Sequence, residues 1–245
     1  MKENFMLKLN LHCLTKEEID IAIYLLNDYR ELTKKDLSCI ELSIHNIPSR
    51  QYPLTCPQRI NPGQKEDYII YLCHSPNHWC QMIYQLAHEL GHFFMDCYPE
   101  MRNFKWISES LCELFSIIFL NRSISFFQTF SPNYVEAVKE YISNYLKEAL
   151  AYTTLSCRET VFQKISELES DPTEEGVMGR PRNCFIAASL FNSLGYGGKG
   201  LSAICLFNEL EQTNSSREFF DLWESKCRSN DETYFVKTSR GILGL

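Results

Sequence analysis

Two periodicities divide the first hundred residues. Leu7, Leu9 and Leu11 alternate with Lys8, Asn10 and His12, the period of a strand with one face on a core, so residues 6–12 are expected to be extended. Thr15 with Glu18 three positions on has the form of a capping box. Ile19, Ala22, Ile23, Leu26 and Tyr29 then recur at helical spacing, which predicts a helix over 16–32. Alternation returns at Ile40, Leu42 and Ile44, a second strand over 38–47 with His45 on its solvent-facing phase. Four prolines and a glycine between Pro48 and Gln64 predict a loop, and 67–73 reads as a third strand. From Asn77 to Asp96 the period is helical again, with Ile83, Leu86, Ala87, Leu90, Phe93 and Phe94 making most of the helix apolar.

Past a break at Tyr98 and Pro99 the pattern stays helical. A segment from Trp106 to Phe115 is followed by helices over 132–153 and 158–169, a break over 170–183, helices over 184–194, 201–211 and 216–228, and a short loose tail from Ser229. The glycines from Gly195 to Gly200 satisfy GxGxxG, yet they follow a helical segment rather than a strand, so they read as an inter-helix turn. The expected fold is α+β. An N-terminal α/β part, residues 1–97, packs a small sheet on the helix at 77–96, and a mostly helical part, residues 98–245, completes the chain.

The helix at 77–96 carries His88-Glu89-Leu90-Gly91-His92. Residues four apart share a helix face, so the imidazoles of His88 and His92 project side by side and can hold one metal ion. Glu89 is turned from them by one residue, within reach of a water on that metal, which is the HExxH arrangement of two zinc ligands and a general base. On so apolar a helix these polar groups are expected to be partly buried. Burial without a partner is costly, and a metal supplies one.

Catalytic zinc takes three protein ligands and leaves a position open. The extended pattern HExxHxxGxxH fails, because Met95 and Tyr98 occupy its glycine and last histidine positions. The next helix offers Glu109 and Glu113, four apart on one face, which can supply a ligand and a carboxylate to orient a ligating histidine. His74 and His78 are denied helical spacing by Pro76 and read as turn and cap residues. A thiolate ligand from Cys80 or Cys97 is the minor alternative.

Over about residues 68–115, His88, Glu89, His92 and the Trp106-to-Glu109 segment resemble the gluzincin branch of the zincin metallopeptidases. The resemblance implies one zinc per chain held by His88, His92 and Glu109, with Glu113 as partner to a ligating histidine, standing where thermolysin-like members carry Asp. It implies a zinc-dependent peptidase in which Glu89 is the base, with a peptide or protein substrate. Such a reaction also needs a donor for the developing oxyanion, for which the helical part offers Tyr145, Tyr152, Tyr196, Arg180 and Arg182. The competing expectation is a zincin-like regulatory or binding protein that holds metal without general proteolysis.

Composition narrows the setting. A hydrophobic share of 44% and a charged share of 22% are those of a globular protein. No uninterrupted apolar run reaches the roughly 18 residues of a membrane helix, and the charged N-terminal residues differ from a signal peptide, so a cytoplasmic location without membrane contact is expected. Eleven cysteines without a Cys-x-x-Cys pair suggest free thiols in a reducing compartment. A net charge of −7 argues against nucleic acid as partner.

Overall fold

The Thr15 hydroxyl accepts the amide of Glu18 while Glu18 Oε2 accepts the amide of Thr15, and this capping box starts the first helix of the computed structural model. The structure describes residues 8–35, 41–51, 53–57, 68–95, 105–155, 179–195, 198–211 and 213–245. The fold is mixed α/β, mostly helical, with a small sheet at its N-terminal end.

Three strands of that sheet are parallel. β1 (Lys8–His12) pairs with β2 (Glu41–Asn46) across helix α1 (Lys16–Thr33), as expected of a βαβ unit. The remaining strands are β3 (Leu54–Pro57) and β4 (Tyr68–Leu72), and the order is β1-β2-β4-β3. β3 lies antiparallel on β4 within the segment expected to be a loop. Its edge position explains the difference, because an edge strand tolerates a proline such as Pro57 that cannot donate to a ladder. On α1 the buried stripe is Ile21, Ala22, Leu25, Leu26 and Tyr29; Ile23, assigned to it by spacing, is exposed. His45, expected to face solvent, is half-buried and stacks on His12, with ring centroids 4.3 Å apart.

The helices α2 (Trp79–Met95) and α3 (Lys105–Phe130) form the centre of the molecule. Every residue from Leu111 to Leu120 is buried. By length and composition α3 could cross a membrane, although serines interrupt its apolar run. Those serines are internally satisfied: Ser110 donates to the Trp106 carbonyl at 2.7 Å and Ser116 to the Cys112 carbonyl at 3.1 Å. Most of the helix is covered by the fold itself.

A turn at Pro132–Tyr134 leads into α4 (Val135–Leu155), followed after the undescribed stretch by α5 (Gly179–Leu194). The helix expected over 158–169 falls outside the described residues. α5 begins earlier than the sequence suggests and takes in Arg180, Pro181, Arg182 and Asn183. Pro181 is in its first turn, where a backbone N–H has no helical acceptor to reach. The segment Leu201–Glu209 is a 3-10 helix rather than an α-helix. Gly200 leads into it at φ +81°, where a Cβ would meet the Asp231 carbonyl oxygen at 2.2 Å, so glycine is required.

Helices α6 (Ser216–Lys226) and α7 (Asn230–Leu243) close the chain. α7 replaces the expected loose tail because Ser229 and Glu232 make a second capping box and Phe235 and Val236 are fully buried. One contiguous hydrophobic core runs from Ile21 on α1 to Leu243 on α7, joining the N-terminal and helical parts. Cys13, Cys73, Cys80, Cys112, Cys184, Cys205 and Cys227 are free thiols.

Candidate metal centre

Tyr29 anchors α2 from behind. Its ring stacks on Phe119 of α3 at 3.9 Å, and its hydroxyl donates to the carbonyl of Ala87, the residue before His88, at 2.6 Å. The opposite face of α2 turns His88 and His92 toward solvent, their ring centroids 5.0 Å apart. Glycine between them lets α3 approach: a Cβ at Gly91 would lie 2.7 Å from the Phe115 ring, 2.9 Å from Cys112 Sγ and 3.3 Å from the Cys112 Cα. The close approach places Glu109 over both histidines. Gly91→Ala is therefore expected to push α3 away from α2, lowering stability by about 1–3 kcal/mol and weakening zinc binding. Thermal unfolding and chelator competition would read the two effects, and unchanged zinc affinity would separate Gly91 from the site.

Glu109 bridges the imidazoles with one carboxylate oxygen to each. Oε2 is 3.3 Å from His88 Nε2 and Oε1 is 3.5 Å from His92 Nε2. Each separation is made by a different carboxylate oxygen and is that of a hydrogen-bonded ion pair, while the group whose ligand atoms cluster at metal-binding spacing among the described residues is His88, His92 and Cys112, without Glu109. The side chains of His88, His92 and Glu109 are 14%, 21% and 28% exposed, which leaves the group open to solvent on one side. Cys112 competes for the third place, since its Sγ and the two histidine donors all lie within 4.8 Å of one another. A zinc thiolate would sit about 3.6 Å from a neighbouring nitrogen. Cys112 is fully buried between α2 and α3, whereas the Glu109 side chain is partly exposed.

Electrostatics tie the same residues together. Burial opposes a charge on His88, but its hydrogen bond to Glu109 and the charges of Glu113 and Glu89 outweigh that and raise its pKa to about 9. Burial and the neighbouring His88 charge push His92 down. Glu109 resists burial through its bond to His88 and the charge of His92, which hold it at about 2. Without metal, the extra proton sits on His88, facing Glu109, while His92 is pushed toward its neutral form. Glu89, 4% exposed, acts electrostatically on both histidines.

Glu113 lies on the other side of His88, its Oε1 3.9 Å from Nδ1. Its Oε2 accepts the hydroxyls of Tyr84 and Tyr145, the latter at 2.9 Å, which leaves Oε1 facing the histidine. Burial and then the Glu113 charge raise both tyrosines, keeping them protonated as donors. Tyr145, one of the possible oxyanion donors, is therefore spent on Glu113. Tyr84 was detectable only as the residue one turn before His88, and Cys112 only by its place between Glu109 and Glu113.

The other sequence candidates are placed as follows. Arg180 donates from Nη2 to the Tyr84 hydroxyl at 3.2 Å, with Nε 3.7 Å from Glu113. Arg182 donates from Nε to Asn183 Oδ1 at 3.3 Å, and that oxygen lies 3.3 Å from the hydroxyl of Ser110, next to Glu109. The Tyr152 side chain, Tyr196 and Cys97 lie outside the described residues. Cys80 is buried two turns before His88, where its amide meets Tyr134. His74, fully buried, sits 3.6 Å from Glu18 and accepts Asn46 on its carbonyl at 3.2 Å, tying β4 to α1 and β2. His78 is exposed, and its carbonyl accepts the Met82 amide at 3.0 Å as α2 begins. Compared with protein-family models, curated proteins and solved structures, the chain matches none.

Proposed function

We propose that this chain is a zinc-dependent peptidase of the gluzincin type. The observation that carries the reading is that Glu109 sets one carboxylate oxygen 3.3 Å from His88 Nε2 and the other 3.5 Å from His92 Nε2, with Glu89 buried on the helix that carries both histidines. Zinc held by His88, His92 and Glu109 would supply a Lewis acid that polarises a peptide carbonyl and lowers the pKa of water. Glu89 accepts the proton of the attacking water and returns it to the leaving amine. Glu113 acts on His88 electrostatically from the Nδ1 side, 3.9 Å away, with Tyr84 and Tyr145 holding the carboxylate in place.

The test is cleavage of a mixed-sequence peptide library by purified protein, read as product masses. Cleavage is expected with zinc present and is expected to stop on chelation. Intact peptides in the presence of fully zinc-loaded protein would overturn the peptidase reading and leave a binding or regulatory role for the centre.

A further inference from the structure

Arg180 enters from the first turn of α5 and lies against Tyr84 and Glu113. Its Nη2 donates to Tyr84 and its Nε runs beside Glu113 beyond hydrogen-bond distance, while the side chain remains 70% exposed. Its side chain also interacts with the Cys184 thiol. Tyr84 and Glu113 are also the groups that flank His88, so the guanidinium is fixed at the wall of the metal centre. Lys105 acts on Glu109 and Arg180 lies beside Glu113, so two of the carboxylates already face a cation, and a divalent ion would add positive charge there.

The geometry points to Arg180 as the residue that selects substrate, by receiving a carboxylate of the peptide on its exposed side. A planar guanidinium already held by Tyr84 matches a carboxylate with two parallel N–H donors and loses little freedom in doing so. That carboxylate is either the peptide's own C-terminus or an Asp or Glu side chain near the scissile bond; the chemistry is the same. The inference rests on the peptidase reading for its substrate class, but its test is binding, not turnover.

The probe is a mixed-sequence pentapeptide library in three forms: free C-termini without Asp or Glu, the same library amidated, and an amidated library containing Asp and Glu. Retention by zinc-loaded Glu89→Gln protein is measured by equilibrium dialysis, which keeps hydrolysis out of the reading. At least one carboxylate-bearing form is expected to be retained roughly tenfold better than the amidated form without Asp or Glu, as for a hydrogen bond to a charged group. Which form is retained identifies the source. Adding Arg180→Gln is expected to abolish the preference, and Arg180→Lys to keep only part of it, with zinc content and circular dichroism confirming an intact centre. Equal retention of all three forms, or a preference untouched by Arg180→Gln, would overturn the inference. If wild-type protein hydrolyses nothing while the Arg180-dependent preference persists, the peptidase reading fails and the carboxylate site stands.

Discussion

Glu89→Gln is expected to reduce peptide hydrolysis by about a thousandfold, within the range that a positioned general base contributes. Zinc content and fold should be unchanged. Glu89 is 4% exposed, and the amide has nearly the same volume, so the substitution adds neither a cavity nor a clash. What it removes is the lone pair that accepts the proton of the attacking water. Rates from product masses, with zinc content and circular dichroism on the same samples, measure each part. Equal rates for variant and wild type would show that another base, or a contaminant, does the chemistry.

Glu109→Ala is expected to strip zinc from the protein, whereas Glu113→Ala should weaken it by about 10 to 100-fold. Glu109 faces both Nε2 atoms, while Glu113 approaches His88 only on its Nδ1 side, at 3.9 Å. Cys112→Ser should retain zinc if Glu109 is the third ligand, since the thiol is fully buried and the carboxylate partly exposed. Titration against a competing chelator ranks all three. Loss of zinc in Glu113→Ala with retention in Glu109→Ala would reverse the roles of the two carboxylates, and loss in Cys112→Ser alone would make the thiol the ligand.

The parts of this site that follow from spacing within one helix were legible in the sequence. His88 and His92 share a face because they are four apart, and so do Glu109 and Glu113. The close approach of the two helices was not legible, because it depends on what Gly91 meets across the interface, the Phe115 ring and Cys112. Arg180 could be named only as one of several possible donors, since its place beside Glu113 depends on α5 starting at Gly179 rather than after Asn183. The proline that suggested a break there is compatible with a first helical turn, and the same ambiguity hid β3, where Pro57 ends an edge strand. On α1, Ile19 and Ile23 competed with Ile21 and Leu25 for the core face, and only packing against α2 and α3 chose between them. The last helix was missed although Ser229 and Glu232 spell its capping box.

Elemental analysis of unchelated protein, alongside His88→Ala with His92→Ala, tests the metal assignment most directly. Wild-type protein is expected to carry about one zinc per chain and the double variant almost none, because two of three ligands are gone and Glu109 alone makes a weak site. Stoichiometric metal surviving in the double variant, or wild-type protein that takes up no zinc on reconstitution, would contradict the assignment of His88, His92 and Glu109 as the metal centre.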